Sequence, residues 1–543
     1  MPTPSATTES RIVEKEQGSR LLDTILERYE RFARRPLLAT SIVALLTIAF
    51  ACCVDFAAGP PEPQVHDELA QVVMADIFAH GRLCEPTQPF WQHFEAIHVL
   101  SQPCYQGKYP PALALFMALG SVLFGQPIAG IRIADAVMVA TAAYAMYAWL
   151  PPSWALLGVS LIAIRFGIVG DWAQSYWGGA ASAAGGALVA GGMRRIVTTP
   201  HPWHGAATGA GLVLLALSRP YEGLALTLAV ISSHVRPLTI AVRGRREFVW
   251  RSLSVAIAVT LGGFAWLGYY NYRVTGSPIT LPYSLYERTH SRLPLFIWQS
   301  TATAEPAFRN PEMQEFERRM SIDLEKLRSN FPFGRLRELA SVTRNFVNPL
   351  LGLAFLGLLW TPRHLRSAAT AACLIVGGVL ASNLATSWTA PRYVAPATVA
   401  IFTLGVIGLA GLTQRLGRSR ATIVLCVAII GGSLASTTAS AVIYVRQQHT
   451  VTSWWQSKKT IRSRLLSESG DDLVFVHYDR QHNPHNSWIY NGADLDTQPV
   501  IWARQIEPSS DRELRNHYGS RHAWIVFADE QPARLVPWTD ESQ

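Results

Sequence analysis

Long apolar runs alternate with short polar segments along this chain, beginning with PLLATSIVALLTIAFACCV after residue 35. A helix needs about 20 mainly apolar residues to cross the hydrocarbon core, so the pattern predicts a mainly α, polytopic membrane protein. After the first run come GIRIADAVMVATAAYAMYAWL, WALLGVSLIAIRFGIVG, AASAAGGALVAGGM, GAATGAGLVLLAL and LALTLAVISSHV. SLSVAIAVTLGGFAWLGYY, NFVNPLLGLAFLGLLW, AATAACLIVGGVLASNL, VAPATVAIFTLGVIGLAGL and ATIVLCVAIIGGSLASTTASAVIYV complete the series, about 11 transmembrane helices in all. One further apolar run, YPPALALFMALGSVLFG, lacks a basic flank and reads as a re-entrant or interfacial helix. Counting it as a span would put RGRR at 243–246 and the QRLGRSR cluster outside, against the positive-inside rule.

Two other periodicities stand apart from the spans. Leu69, Val72, Val73 and Ile77 recur at helical spacing and predict an amphipathic helix lying in the membrane interface. In the tail, SWWQSKKTIRSRLL reads as a second interfacial helix. LVFVHY, PVIWAR and AWIVFA read as short buried strands, with DRELRNHY as a helix between the last two. The expected organisation is a cytoplasmic segment at 1–35, a transmembrane domain at 36–445 and an extracytoplasmic α/β domain at 446–543. Outer segments at 55–127 and 270–337 interrupt the transmembrane domain.

Composition agrees. Only 16% of the residues are charged, against about 25% in a soluble domain, and the formal net charge of +9 lies mainly in short clusters between apolar runs. Arg31, Arg34 and Arg35 before the first run predict a cytoplasmic N-terminus and an uncleaved anchor. No basic stripe carries interleaved aromatics, which argues against nucleic acid. The expected location is a cell membrane, the inner membrane of a bacterium. Cys84 and Cys104 share one polar segment where a disulfide is geometrically open.

With that topology the conspicuous polar residues outside the tail fall at the outer ends of spans. Asp67 and Glu68 open the amphipathic helix, where a helix dipole favours negative charge. They read either as an N-terminal cap or as a carboxylate ready to take a proton from an acceptor hydroxyl. Lys108, rigidified by the prolines that follow, and Arg392 with Tyr393 can neutralise a phosphate or can simply snorkel. Arg219, Tyr221 and Glu222 read as a structural pair. Asp171, Tyr176 and Trp177 form an aromatic turn, either a stacking platform for a sugar or an interfacial belt. The small-residue run after them reads as close helix packing. His477, His482 and His485 in the tail match no metal-binding spacing and read as a hydrogen-bonded loop.

The order of these pieces resembles the GT-C class of membrane glycosyltransferases, with protein O-mannosyltransferase-like, aminoarabinose-transferase-like and galacturonosyltransferase-like enzymes as the nearest groups. The resemblance rests on the first span, Asp67-Glu68, Lys108 with Pro110 and Pro111, Arg132 in the second span and the outer loop at Asp171. It continues through Tyr269 and Asn271 to Arg392-Tyr393 and covers residues 36–440. It implies a polyprenyl-phosphate sugar donor, an envelope lipid, glycan or protein acceptor, and inversion at the anomeric carbon. Asp67 would be the catalytic base and Glu68 its partner. Lys108, Arg392 and Tyr393 would hold the donor phosphate, and Asp171, Tyr176, Trp177, Tyr269 and Asn271 would contact substrate. Some members of the class use a divalent cation at the acidic loops; Asp171 is the candidate ligand. The rival readings are a transporter or flippase of a lipid-linked substrate and a non-catalytic membrane scaffold. A transporter would place its charges at mid-membrane, often between repeats.

Overall fold

A computed structural model describes residues 23–291, 293–300, 310–417, 420–450 and 453–539. Most of the expected 1–35 segment, residues 1–22, lies outside the described residues. Each of the eleven apolar runs is helical. The long ones are α1 (Pro36–Ala58), α4 (Pro127–Trp149), α5 (Pro152–Phe166), α6 (Ala180–Thr198), α7 (Pro202–Ala216) and α8 (Pro220–Thr275). Between α1 and α4 lie α2 (His66–Ala79), strands β1 (Glu85–Pro86), β2 (Val99–Leu100) and β3 (Cys104–Gly107), and α3 (Ala112–Phe124). Among the described residues six helices, α1, α4 and α8 among them, are long and apolar enough to cross a membrane. α8 contains two of the runs, broken at Arg245 inside the basic cluster, where φ is −144° and ψ 47°.

After α8 come α9 (Pro282–His290), α10 (Pro311–Ser329) and α11 (Phe333–Arg344). The later apolar runs form α12 (Pro349–Ala354) with a 3-10 extension, α13 (Arg366–Ala385), the short α14 (Pro391–Val394), α15 (Thr398–Leu416) and α16 (Arg420–Thr450). The main core lies among α4, α5, α6, α13 and α15, whose buried residues are largely Ala, Val, Leu and Ile.

The YPP run is the 13-residue α3, turned back at Gly125 in the left-handed conformation and paired with α4. A Cβ on Gly120 would lie 2.1 Å from the backbone nitrogen of Gly130, so the hairpin closes only because both helices present glycine there. Arg132, near the start of α4, holds Asp55, near the end of α1, with both carboxylate oxygens 2.7 Å from Nη2. The end of α1 and the start of α4 therefore share one level, as expected if α3 does not cross. The small-residue α6 packs as its composition predicts: a Cβ on Gly186 would meet the Pro396 carbonyl oxygen at 2.0 Å.

The tail is an α/β unit of α17 (Trp454–Ser467), β4 (Asp472–His477), β5 (Val500–Arg504), α18 (Pro508–His517), β6 (His522–Phe527) and β7 (Arg534–Pro537). The sheet order is β5-β4-β6-β7, with β4 parallel to both neighbours and β7 antiparallel to β6. Alternation along β4 sends Val474 and Val476 to a core with Ile461 and Leu465 of α17, and Leu473 and Phe475 to one with Leu514 of α18. α17 is thus a covering helix of the sheet, not the expected interfacial helix, because its apolar stripe is used by the strands.

The same correction applies to α2. Leu69, Val73 and Ile77 are buried against Val99, Tyr105, Tyr490 and Ala493, so its apolar face meets the tail and its own loop instead of lipid. Phe94 enters the tail's core beside Phe475, and Arg504 at the end of β5 pairs with Glu312 of α10 and donates to the Glu95 carbonyl at 2.9 Å. Cys84 and Cys104 stand together as free thiols, at 3.3 Å from the Arg273 carbonyl and 3.4 Å from that of Val274 respectively.

The α3–α4 contact gives a direct test. Gly120→Val should cost roughly 3 kcal/mol or more, because backbone on the facing helix cannot yield. Gly377, whose Cβ direction is open, should accept Ala without loss. Thermal unfolding of the purified variants reads the difference; equal melting temperatures would contradict the close approach.

Candidate active site

The adjacent carboxylates at the start of α2 have different surroundings. Glu68 is 5% exposed, and its two oxygens accept the backbone N–H groups of Gln64 and Tyr176, each at 2.8 Å. Burial pushes its pKa up, against the pull of those N–H groups. It fastens the start of α2 to the 171–179 turn, close to the capping alternative in the sequence. Asp67 instead faces a cavity. The Tyr109 hydroxyl donates to one oxygen, Arg392 Nη2 donates to the other at 2.6 Å, and His98 Nε2 lies 3.4 Å away. Burial alone would raise the Asp67 pKa, but Arg392, the Tyr109 hydroxyl and Lys108 outweigh it and hold the carboxyl well below the usual carboxylate range. Burial drives the pKa of His98 well below 6.5, leaving its ring neutral at pH 7.

His98 also carries backbone strain. Its φ is +67°, the one positive value at a non-glycine among the described residues. Its carbonyl accepts the Lys108 N–H at 3.0 Å and its own N–H donates to the Tyr286 hydroxyl at 2.9 Å, so strand pairing and a side chain over-determine the turn. Lys108 is thereby set beside His98. Its ammonium pairs with Glu287 at 2.7 Å and lies 4.4 Å from the Tyr286 ring centre. Beyond Pro110 and Pro111, the Ala112 N–H donates to the Leu217 carbonyl at 2.8 Å, tying this segment to the end of α7. Arg392 stacks over Trp177 at 4.5 Å, and its neighbour Tyr393 carries Arg219 over its ring at 4.2 Å.

Two cavities meet here. One, of about 190 Å³, is lined by Arg219, Glu222 and Asn271 together with Leu267, Leu281 and Leu295. The other, of about 480 Å³, contains Asp67, His66, His98, Arg392, Phe316 and His485. Lys108, Tyr109, Tyr283, Trp388 and Tyr393 line both, so the two adjoin across these side chains, with Asp67 on the larger side of that junction.

Of the residues named from sequence, Asp67, Lys108, Trp177, Arg392 and Tyr393 line the larger cavity and Asn271 the smaller. The Asn271 amide donates to Pro278 at 3.1 Å, leaving its oxygen buried without a partner. Tyr176 is buried and its hydroxyl donates to the Pro61 carbonyl at 2.9 Å, a structural contact. Tyr269 is 52% exposed and accepts from Arg273 on the far side of α8 from Asn271. Asp171 is exposed and lines neither cavity. Arg219 and Glu222 form no ion pair within 4 Å among the described residues, so the structural pair read from sequence is not made; both face the smaller cavity instead. Sequence reasoning also passed over His66, His98, Tyr283, Glu287 and Phe316. The strained turn at His98 leaves no sequence signal, and the others lie far from Asp67 along the chain or read as ordinary helix residues.

A divalent cation does not fit these donors. No group of three His, Cys, Asp or Glu side chains is placed to hold a metal ion among the described residues, and Asp67 has Arg392 and Lys108 as its charged neighbours. In the tail His482 is tied to Asp529 at 2.7 Å, and His477 to Gln505 at 2.9 Å, the hydrogen-bonded loop expected there.

No family model matches this sequence, and no curated protein matches it. Among solved structures the chain is similar to the oligosaccharyltransferase AglB from Archaeoglobus fulgidus in complex with an inhibitory peptide and a dolichol-phosphate. The identity is 11% and the TM-score 0.45, over 81% of this chain and 62% of that one. The chain thus spans less than two thirds of that protein's length. It is also similar to ArnT from Cupriavidus metallidurans. The apo form gives 12% identity and a TM-score of 0.49 over 89% and 92% of the two chains. The form bound to undecaprenyl phosphate gives 13% and 0.48 over 90% and 92%.

The histidines make a pH test. Burial, with His485 adding to it, lowers the His66 pKa from 6.5 to about 3. Between those values the unfolded chain binds a proton that the folded one refuses, so this contribution to stability falls as pH falls, by about 1.4 kcal/mol per pH unit. Unfolding of wild type and His66→Gln measured between pH 7 and 5 should show a shallower acid loss in the variant. Parallel curves would contradict a neutral, buried His66.

Proposed function

We propose that the two adjoining cavities are the active site of a membrane glycosyltransferase. It moves a sugar from a polyprenyl-phosphate donor to a hydroxyl of an envelope acceptor, with inversion at the anomeric carbon. The observation that carries this reading is the junction itself: a carboxylate beside two cations, opening on one side to a cavity with apolar walls and a third cation, Arg219. A lipid phosphate has its charge matched by Lys108 and Arg219, while its first isoprene units suit Leu267, Leu281 and Leu295. The sequence resemblance to the GT-C class supports the same assignment of Asp67, Lys108 and Arg392.

In the reaction the acceptor oxygen attacks the anomeric carbon from the face opposite the phosphate. The new O–C bond forms as the C–O(phosphate) bond breaks, and the bonding pair leaves with the lipid phosphate. The acceptor's hydroxyl proton passes to Asp67. Each carboxylate oxygen keeps a lone pair beyond those engaged by Tyr109 and Arg392. As the phosphate develops charge it competes with Asp67 for Arg392. Each increment of Arg392 toward the phosphate relieves the charge that depresses the Asp67 pKa, so the base strengthens as the leaving group departs. Lys108 neutralises the same phosphate at the price of loosening its pair with Glu287. Glu68 serves as the fastening of α2, keeping Asp67 aimed at the junction.

In this reading the protein is a multi-pass protein of the cell membrane, with Asp67 and the tail on the outer side. A strain lacking the protein, complemented with Asp67→Asn, should hold normal amounts of the protein yet fail to restore the missing envelope sugar, the loss being about 10²–10⁴ in rate. Lys108→Ala and Arg219→Ala should raise the donor KM more than they lower kcat. Compositional analysis of envelope glycans and of accumulated lipid-linked sugars reads the first. Full restoration by Asp67→Asn would remove that carboxylate from the mechanism.

A further inference from the structure

The tail has so far served as packing, yet one of its residues lines the larger cavity. His485 sits in the loop between β4 and β5, a half-buried ring whose centre is 5.7 Å from His66 and 5.5 Å from Phe316 of α10. Phe316 in turn meets His66 at 5.3 Å and His98 at 5.6 Å, both nearly edge-on. Three imidazoles thus surround one phenyl ring, facing Asp67 from the side away from the smaller cavity.

This wall is held by long-range bonds. The Tyr490 hydroxyl donates to the Ile97 carbonyl at 2.7 Å and meets His66 Nδ1 at 3.0 Å. The Ala493 N–H donates to Asp76 of α2 at 2.6 Å, and Arg319 of α10 donates to Asn483 at 3.3 Å. The tail loop, α2 and α10 are therefore fixed to one another around the cavity, and the fold spends three separate segments on its outer side.

We propose that this larger cavity is the acceptor subsite and that it takes a pyranose unit of a glycan, with His485 and Phe316 as its outer wall. The proposal rests on the transferase reading above. At about 480 Å³ the space falls within the range of small-ligand pockets and suits one or a few sugar rings. Aromatic surfaces from Phe316, His485 and Trp388 give apolar C–H faces something to pack on. The Lys108–Glu287 pair and the Ser291 hydroxyl, which donates to Glu317 at 3.2 Å, put two polar groups on the wall, whose remaining lone pairs can accept from ring hydroxyls. A lipid acceptor would need apolar walls continuing into the bilayer, whereas this cavity is walled on its far side by α10 and the tail loop.

The test is saturation-transfer NMR on the full-length protein in lipid nanodiscs, presented separately with methyl pyranosides, Ser/Thr-containing hexapeptides and short-chain glycerolipids. Wild type and Asp67→Asn should both transfer saturation to pyranoside ring protons. His485→Ala and His485→Gln should lose about fivefold of it, while His485→Phe and the control His477→Ala keep it. Signal from peptides or glycerolipids in place of pyranosides, or an undiminished signal in both ring-deleting variants, would overturn the proposal. The transferase reading fails separately: pyranosides would bind as described yet never receive sugar from a synthetic polyprenyl-phosphate donor. Transfer that proceeds normally in His485→Ala would sink the subsite alone.

Discussion

The ion pair between Asp67 and Arg392 joins the two parts of the chain on which the site depends. One partner opens α2, after the first apolar helix; the other is in α14, at the head of the most buried of the long apolar helices among the described residues. A carboxylate enclosed this way persists only if it is charge-matched and hydrogen-bonded. Arg392 matches its charge and Tyr109 donates to it, from two different segments. Removing either leaves Asp67 less well matched, so the same contacts that fix the fold here set the ionisation of the group proposed to do the chemistry. In the proposed mechanism that coupling lets donor binding act on the base: a second anion beside Arg392 would draw on the charge that keeps Asp67 acidic.

Around the pair, several independent devices bring the participating segments to one level. The α3–α4 hairpin closes through Gly120 and Gly130 and returns the chain so that Arg132 meets Asp55. Gly186 of α6 lies against the Pro396 carbonyl, which seats the 391–397 segment next to Trp177. The strained His98 turn sets Lys108, and Arg504 of the tail holds α10 by Glu312. None of these contacts involves Asp67 directly, yet each fixes one wall of the cavities that meet beside it.

Much of the transmembrane part was legible in the sequence because length and apolarity are local signals. All eleven runs became helices, and the short YPP run was recognisable from its length and missing basic flank. Asp67, Lys108, Arg392 and Tyr393 were legible through their order and shared side. The amphipathic face of α2 was legible as a face but not in what covers it, because Leu69, Val73 and Ile77 suit lipid and protein equally. The docking of the tail depends on contacts such as Tyr490 with Ile97, some four hundred residues apart in sequence, which no local pattern encodes. Tyr269 and Asn271 illustrate the resolution of such reading. Two positions apart on a helix they face different ways, and only Asn271 reaches a cavity. Arg219, Tyr221 and Glu222 were read as a structural pair; an arginine at the start of a helix that stacks on Tyr393 leaves the same trace in the sequence.

The central claim is a single displacement in which Asp67 receives the acceptor's proton while the sugar leaves the lipid phosphate from the opposite face. The most direct measurement is the anomeric configuration of the first product. It would be read by NMR with the purified protein and a synthetic polyprenyl-phosphate sugar of known configuration. The account predicts a product of opposite configuration, one lipid phosphate released per sugar transferred, and neither event with Asp67→Asn. A product of retained configuration, or lipid-linked sugar moved across vesicles without transfer, would contradict it.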